Sequence, residues 1–153
     1  MKTPCRLALA SGLALIISSI AVPAAFAQGR SPADTRIVES YRLTMPMLRK
    51  VMPALYSPGA ESCPRDRRDP RTLSLAEMAQ MIDRCVPMTQ ALRRAGVPSR
   101  EAALVMASIY RTAEAVAIRR GDANAVDQGP LRDNALLMQQ NDAELKRLTG
   151  ETR

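Results

Sequence analysis

The sequence predicts an all-α protein, a small single-domain helical bundle of five or six short helices around one long central helix. Capping residues recur ahead of apolar positions spaced three and four residues apart, which is typical of amphipathic helices. β-Branched residues are scattered singly and never alternate with polar residues over the length of a strand. The chain has 153 residues, 46% of them hydrophobic, which suits one domain with a modest core.

The first 27 residues predict a secretory signal peptide. Lys2 and Arg6 precede an apolar run over residues 7–22, and the sequence Ala-Phe-Ala at 25–27 places small residues at the cleavage site. An uncleaved membrane anchor is the alternative, but it needs about 20 predominantly apolar residues, more than this run supplies. We therefore expect a periplasmic or secreted protein with no stable membrane anchor after cleavage.

Cleavage would leave a helical domain over residues 28–153. Subtracting 27 residues from 153 leaves 126, and the net charge of +7 falls to +5 because Lys2 and Arg6 leave with the signal. Cys63 and Cys85 are the cysteines of this domain, and an even pair in an exported chain predicts a disulfide. A redox or thiolate metal site is the alternative, but the spacing is not that of a C-x-x-C motif and the chain has no histidine.

Two helices are predicted at the start of this domain. Ser31 is a capping residue with Pro32 at the first helical position. Pro46 lacks a backbone N–H and cannot continue that helix, so Thr44 is predicted to cap a second one. The buried face of the second helix is predicted to carry Met45, Leu48, Met52 and Leu55.

A loop and two further helices are predicted next. Residues 57–72 contain three prolines and a glycine without apolar periodicity, which indicates a loop that the disulfide would tie to the following helix. Ser74 and Glu77 form a capping box that starts one helix. Pro87 bends the chain or starts a second helix, and Gly96 is predicted to end that helix in the left-handed conformation. The predicted buried stripe after the capping box is Met78, Met81, Ile82 and Cys85.

The longest helix is predicted to begin with Ser99 as its cap and to end near Gly121 after a basic last turn. Its predicted core stripe is Ala102, Val105, Met106, Ile109, Ala113, Val116 and Ala117. A last helical segment follows over residues 132–148. Its polar residues Asn134, Asn141 and Glu144 are interpreted as caps, the latter two at a restart inside the segment.

The order of these caps and stops resembles that of a group of small exported all-helical bacterial proteins of uncharacterised function. The residues that carry the resemblance are Leu43-Thr44, Ala91-Leu92 before Ala95-Gly96, Ser99, Asn134 and Asp142-Ala143-Glu144-Leu145. The resemblance covers most of the domain and implies the helical fold and the exported compartment. It implies no reaction and no ligand.

Methionine is the most unusual feature of the composition. Nine methionines stand beside a single phenylalanine and no tryptophan. Thioethers are soft ligands that suit Cu(I), so Met45, Met47 and Met52 are a candidate metal site. Met45 and Met52 share a helical stripe with leucines, however, and methionine is an adaptable core filler. Core packing is therefore the favoured interpretation, with no cofactor expected and Cu(I) binding as the alternative.

The loop between residues 65 and 71 is a candidate anion-binding site. Its four arginines are Arg65, Arg67, Arg68 and Arg71. Guanidinium groups bind phosphate and carboxylate in a bidentate manner, so an anionic envelope lipid or polysaccharide is a candidate partner. Asp66 and Asp69 stand among these arginines, and a solvated loop with internal ion pairs is the simpler interpretation. Nucleic acid is not expected, because the compartment is wrong and aromatic stacking platforms are missing.

Catalytic signatures are not found. Without histidine the chain cannot form a Ser–His or Cys–His pair or a histidine zinc site. Glu101 and Glu114 are thirteen positions apart on the long helix and have simpler roles as a first-turn acid and a solvent-facing acid. We therefore expect a non-enzymatic envelope module, structural or binding an unidentified envelope protein or anionic surface. A partner-binding role predicts a contiguous exposed apolar patch.

Overall fold

The computed structural model describes residues 30–64, 68–119 and 121–150, so the predicted signal peptide lies outside the described residues. These residues contain seven α-helices, three short 3₁₀ turns and no strand, which confirms the all-α prediction. The helices are α1 (Pro32–Ser40), α2 (Met45–Leu55), α3 (Leu75–Asp83), α4 (Val86–Ala95), α5 (Ser99–Ile118), α6 (Pro130–Gln140) and α7 (Asp142–Thr149). Within the described residues, no helix has both the length and the apolar content that crossing a membrane requires.

Three of the predicted helix starts are confirmed by their capping hydrogen bonds. The Ser31 hydroxyl accepts from the backbone N–H of Asp34 at 3.0 Å, which starts α1. The Thr44 hydroxyl caps α2 from the same position. At α3 the capping box is complete, because Ser74 and Glu77 each accept from the backbone N–H of the other. Each bond satisfies an N–H that the first turn of a helix leaves unpaired.

The core lies where α5 packs against its neighbours. The helix is 20 residues long and contacts α1, α2, α3, α4 and α6, while α2 packs against α4 and α7. The largest fully buried apolar side chains come from five helices and one loop, and they are Val38, Leu48, Val51, Leu73, Met78, Ile82, Leu92 and Val105. In contrast, α7 has no fully buried residue. It is therefore the least embedded helix of the bundle.

Methionines fill part of this interior. Met52 and Met78 are buried in the main core, and Met45 and Met47 are half-buried against it. Met88, Met106 and Met138 also pack against the core. The methionine thioethers therefore occupy space that large aromatic rings fill in other proteins, as the favoured interpretation of the sequence predicted.

Cys63 and Cys85 form the predicted disulfide, with their sulfur atoms 2.02 Å apart. The sequence predicted that Cys85 continues the buried stripe of α3. This was wrong, because α3 ends at Asp83 and Cys85 occupies the N-cap position of α4. The bridge therefore joins the loop to the junction of two helices. On the chain-entropy model, closing a loop of this size stabilises the fold by about 3 kcal/mol.

The start of α5 differs from the prediction. Ser99 is the first helical residue and Pro98 holds the N-cap position, with no side-chain capping bond. The Ser99 hydroxyl instead donates to the Asp83 carboxylate at 2.5 Å, which links α5 to the end of α3. The cap prediction was wrong because a tertiary partner competes for the hydroxyl. Gly96, in contrast, ends α4 with a φ of +69°, as predicted.

The predicted core stripe of α5 is partly wrong in its second half. Ala102 and Val105 are buried, but Ala113 and Ala117 are exposed. The buried positions there are polar, namely Ser108 and Thr112. Ser108 faces α1, because its hydroxyl donates to the Val38 carbonyl at 3.4 Å.

The capping roles predicted near the C-terminus are also wrong. Asn134 is 1% exposed in the middle of α6 and hydrogen-bonds to the connection between α1 and α2. Asn141 does stand at the predicted restart between α6 and α7, but its side chain donates backward to the Leu137 carbonyl at 2.7 Å. Glu144 pairs with Arg49 on α2. In all three cases the polar side chain has a partner outside the turn it was expected to cap.

Candidate functional site

A half-open groove of about 450 Å³ lies between α5 and α7. Leu48 and Met52 of α2 and Met138 of α6 lie beneath it. Ile109 and Val116 form the α5 wall, and Leu145 contributes from α7. The groove therefore offers a predominantly apolar surface that continues the main core toward solvent.

Small side chains on α5 keep this groove open. Ala113 and Ala117 line it one helical turn apart and are exposed. The facing helix α7 packs chiefly against α2 and α6. Because neither alanine reaches across the space, α5 and α7 do not close on each other. These two residues were predicted to be core. They belong to the apolar face of α5 as predicted, but they are exposed because α7 does not pack against them.

A bidentate ion pair holds the α7 wall in place. Arg49 Nε and Nη2 donate to the two carboxylate oxygens of Glu144 at 2.7 and 3.2 Å, which joins α2 to α7. These hydrogen bonds lower the pKa of Glu144 and raise the pKa of Arg49. On the rim of the groove, Lys146 donates to Asp142 at 2.7 Å within α7. Glu144 of this wall is therefore paired with α2, and Asp142 and Lys146 are paired with each other.

Thr112 is the polar residue that α5 contributes to the groove. Its side chain is 1% exposed, and its hydroxyl has no hydrogen-bond partner. A buried helical threonine commonly donates to the carbonyl four residues earlier, which here belongs to Ser108, but that bond is not made. Leaving such a hydroxyl unpaired costs about 1–3 kcal/mol. Sequence reasoning missed Thr112 because a threonine among alanines and charged residues carries no signal of burial.

A second, smaller hollow of about 330 Å³ lies on the other side of α5 and contains a structural ion pair. Arg111 donates to Glu39 of α1 at 2.7 Å and to Glu114 at 2.9 Å. The hydrogen bond to Glu39 is the main reason why the pKa of Arg111 is raised. The guanidinium is thus already bonded to two carboxylates, and it fastens α1 to α5. Glu101, the other acid considered in the sequence, lies in the first turn of α5.

The arginine loop is only partly described. Arg65 and Arg67 lie outside the described residues. Arg68 donates to Glu77 at 2.7 Å, and Arg71 pairs with Asp69. The hydrogen bonds from Arg71 lower the pKa of Asp69 to about 2. The described arginines therefore have protein partners, and anion binding by this loop stays a prediction.

The candidate soft-metal residues are spread over α2. Met52 is buried, while Met45 and Met47 are half-buried near the start of the helix. Across residues 30–64, 68–119 and 121–150, no group of three or more cysteine and carboxylate side chains is placed to hold a metal ion. Cu(I) binding by these three methionines stays a prediction.

Comparisons of the chain with protein-family models, with curated proteins and with solved structures found no match. The resemblance to small exported helical proteins therefore stays a prediction. What the chain can do has to be argued from its own groove and side chains.

Proposed function

We propose that this chain is a non-enzymatic exported binding module that holds a small apolar molecule in the groove between α5 and α7. The observation that carries this proposal is the groove itself, with its volume of about 450 Å³ and its mainly apolar lining. Pockets for small molecules usually measure about 300–1,000 Å³ and are lined mostly by apolar side chains with few polar groups. The groove agrees with that description in size and in chemistry.

Two further features support the proposal. Ala113 and Ala117 are exposed apolar side chains of α5 that line the groove and are available to contact a bound molecule. The α7 wall is the least buried helix, and its Glu144 is joined to Arg49 of α2 by an exposed ion pair. Such a helix can shift when a small molecule binds in the groove, without disturbing the core. Transfer of an apolar molecule from water into such a groove is favourable in proportion to the area it buries.

The experiment uses the uncharged dye N-phenylnaphthylamine, whose fluorescence rises in apolar surroundings. The protein, prepared from residue 28 onward with its disulfide formed, should give a saturable increase. Ala113→Trp should reduce dye affinity at least tenfold, because an indole at this position fills the groove. Ala76→Trp is the matched control, since Ala76 is exposed on α3 and does not line the groove.

The outcomes separate the groove from the rest of the surface. Loss of dye binding in Ala113→Trp with retention in Ala76→Trp supports the proposal. Equal binding by both variants, or no saturable binding by the unmodified protein, contradicts it. Circular dichroism of all three proteins checks that the helical content is the same.

A further inference from the structure

We propose that the protein docks on the anionic headgroup surface of a phospholipid bilayer through a basic corner between α4 and α5. The basic corner consists of Arg84, Arg93, Arg94 and Arg100, which are all exposed. Residues 84–100 contain these four arginines and no aspartate or glutamate. Positive charge concentrated on one part of a surface attracts a partner of opposite charge. The basic corner is separate from the groove, because none of its residues lines that groove.

The fold brings the four arginines together. Arg93 and Arg94 lie in the last turn of α4, and Arg100 lies in the first turn of α5, after a tight turn of the chain. The hydrogen bond from the Ser99 hydroxyl joins this first turn to the last residue of α3. Arg84 is the next residue and holds the C-cap position of α3. The four arginines therefore surround one junction of three helices.

Among the described residues, no carboxylate forms an ion pair with an arginine of the basic corner. The two acids that flank the segment act elsewhere. Asp83 accepts from the Ser99 hydroxyl. Glu101 is half-buried and acts on Tyr41 at the end of α1, whose pKa is raised by burial and by this charge. Arginines in other parts of the bundle do pair with carboxylates, and they are Arg42, Arg49, Arg68, Arg71, Arg111 and Arg119.

Helix stability explains only part of this arrangement. Arg93 and Arg94 lie at the negative end of the α4 dipole, where cations are favourable. Arg100, in contrast, lies at the positive end of the 20-residue helix α5, where a cation is unfavourable. Like charges gathered around one junction also repel one another. An anionic surface against this corner offsets both effects.

The surroundings of the arginines favour a bilayer as the anionic partner. Neither of the two hollows described above includes an arginine of the basic corner, so neither provides these arginines with an enclosed site for a small anion. Val86 is 61% exposed two positions from Arg84, and Pro98 is exposed two positions from Arg100. Apolar side chains beside cations gain contact with the acyl boundary of a bilayer, which a polysaccharide does not offer. Residues 84–100 contain no aromatic ring on which nucleic-acid bases stack.

The test is co-sedimentation with vesicles of phosphatidylcholine, either alone or mixed with phosphatidylglycerol. The protein, prepared from residue 28 onward with its disulfide formed, should bind the mixed vesicles in low salt and leave the neutral vesicles unbound. Binding should be lost at about 1 M salt, where the Debye length is about 3 Å. The triple variant Arg93→Gln, Arg94→Gln, Arg100→Gln should bind about a hundredfold more weakly, because each arginine near an anionic surface strengthens partitioning about fivefold. Arg84 is retained because it caps α3.

The triple variant Arg42→Gln, Arg71→Gln, Arg119→Gln is the matched control. It removes the same positive charge, but from exposed arginines that are already paired with carboxylates. This variant should bind the mixed vesicles nearly as tightly as the unmodified protein, and circular dichroism checks that both variants keep their helical content. Equal weakening in the two triple variants overturns the inference, because net charge alone would then explain the binding. Binding to soluble heparin without binding to the mixed vesicles overturns it as well, and so does a lack of binding to either.

Discussion

The amide of Asn134, in the middle of α6, accepts a hydrogen bond from the backbone N–H of Leu43 at 2.8 Å across 91 positions of sequence. Its Nδ2 donates to the Tyr41 carbonyl at 2.9 Å. The two bonds satisfy one backbone donor and one backbone acceptor of the connection between α1 and α2. One buried side chain thereby holds the connection between the end of α1 and the start of α2 against α6.

Replacing Asn134 with alanine should lower the free energy of unfolding by about 2–4 kcal/mol, because it leaves one backbone donor and one acceptor unpaired near the core. Urea denaturation at neutral pH measures this change. Asn124→Ala is the control, since Asn124 is exposed and should contribute less than about 0.5 kcal/mol. Equal effects of the two substitutions would show that the bonds of Asn134 have no energetic weight.

Glu144→Gln should loosen α7 without unfolding the bundle. It weakens the bidentate bond to Arg49 that joins α7 to α2, while the core contacts of the other helices stay in place. Hydrogen exchange measured by NMR should show faster exchange of α7 amides and unchanged exchange in α5. Asp142→Asn, which removes a pair within α7, is the comparison. An α7 that remains equally protected in both variants would contradict an anchoring role.

Protonation of Glu77 in acid should lower the free energy of unfolding. Its carboxylate accepts from the Ser74 backbone and from Arg68, and these bonds lower its pKa from 4.5 to about 2. Because the folded-state pKa is lower than the unfolded one, this stabilisation is complete above pH 4.5 and is lost as pH falls toward 2. Urea midpoints of Glu77→Gln should therefore vary less with pH than those of the unmodified protein in that window. Parallel curves would contradict this assignment.

Reduction of the disulfide should lower the free energy of unfolding by about 3 kcal/mol. The bridge joins residues 22 positions apart, and its absence gives the unfolded chain more freedom. The measurement is urea denaturation with and without dithiothreitol. A Cys63→Ser, Cys85→Ser double variant should show the lower stability in both conditions. Sensitivity of that variant to dithiothreitol would mean that the reductant acts elsewhere.

Export should produce a mature chain beginning at Gln28. The expected measurement is N-terminal sequencing or intact mass of protein recovered from the periplasm or the medium of a bacterial host. Replacing Ala27 with a bulky residue such as tryptophan should block cleavage, because the cleavage site requires small side chains. Protein that stays full-length in the cytoplasm without any substitution would contradict the signal-peptide prediction.

The groove shows how much of a candidate site can be predicted from a sequence of this kind. The apolar and alanine-rich stripe of α5 was visible, and so was the methionine-rich stripe of α2. Whether Ala113 meets another helix or faces open space depends on where α7 rests, and α7 is held by Arg49 from a distant segment. Periodicity identifies an apolar face, but it does not tell what covers that face.

The sequence alone determined the all-α class, the disulfide pair and the caps that start α1, α2 and α3. It could do so because a cap such as Ser74 reaches a backbone N–H only three residues away. Tertiary structure decided the roles of Asn134 and Ser99, whose partners lie 91 and 16 positions away. It also decided that Thr112 is buried without a partner. Local hydrogen bonds follow from neighbouring residues, whereas burial and long-range bonds depend on how the finished helices pack.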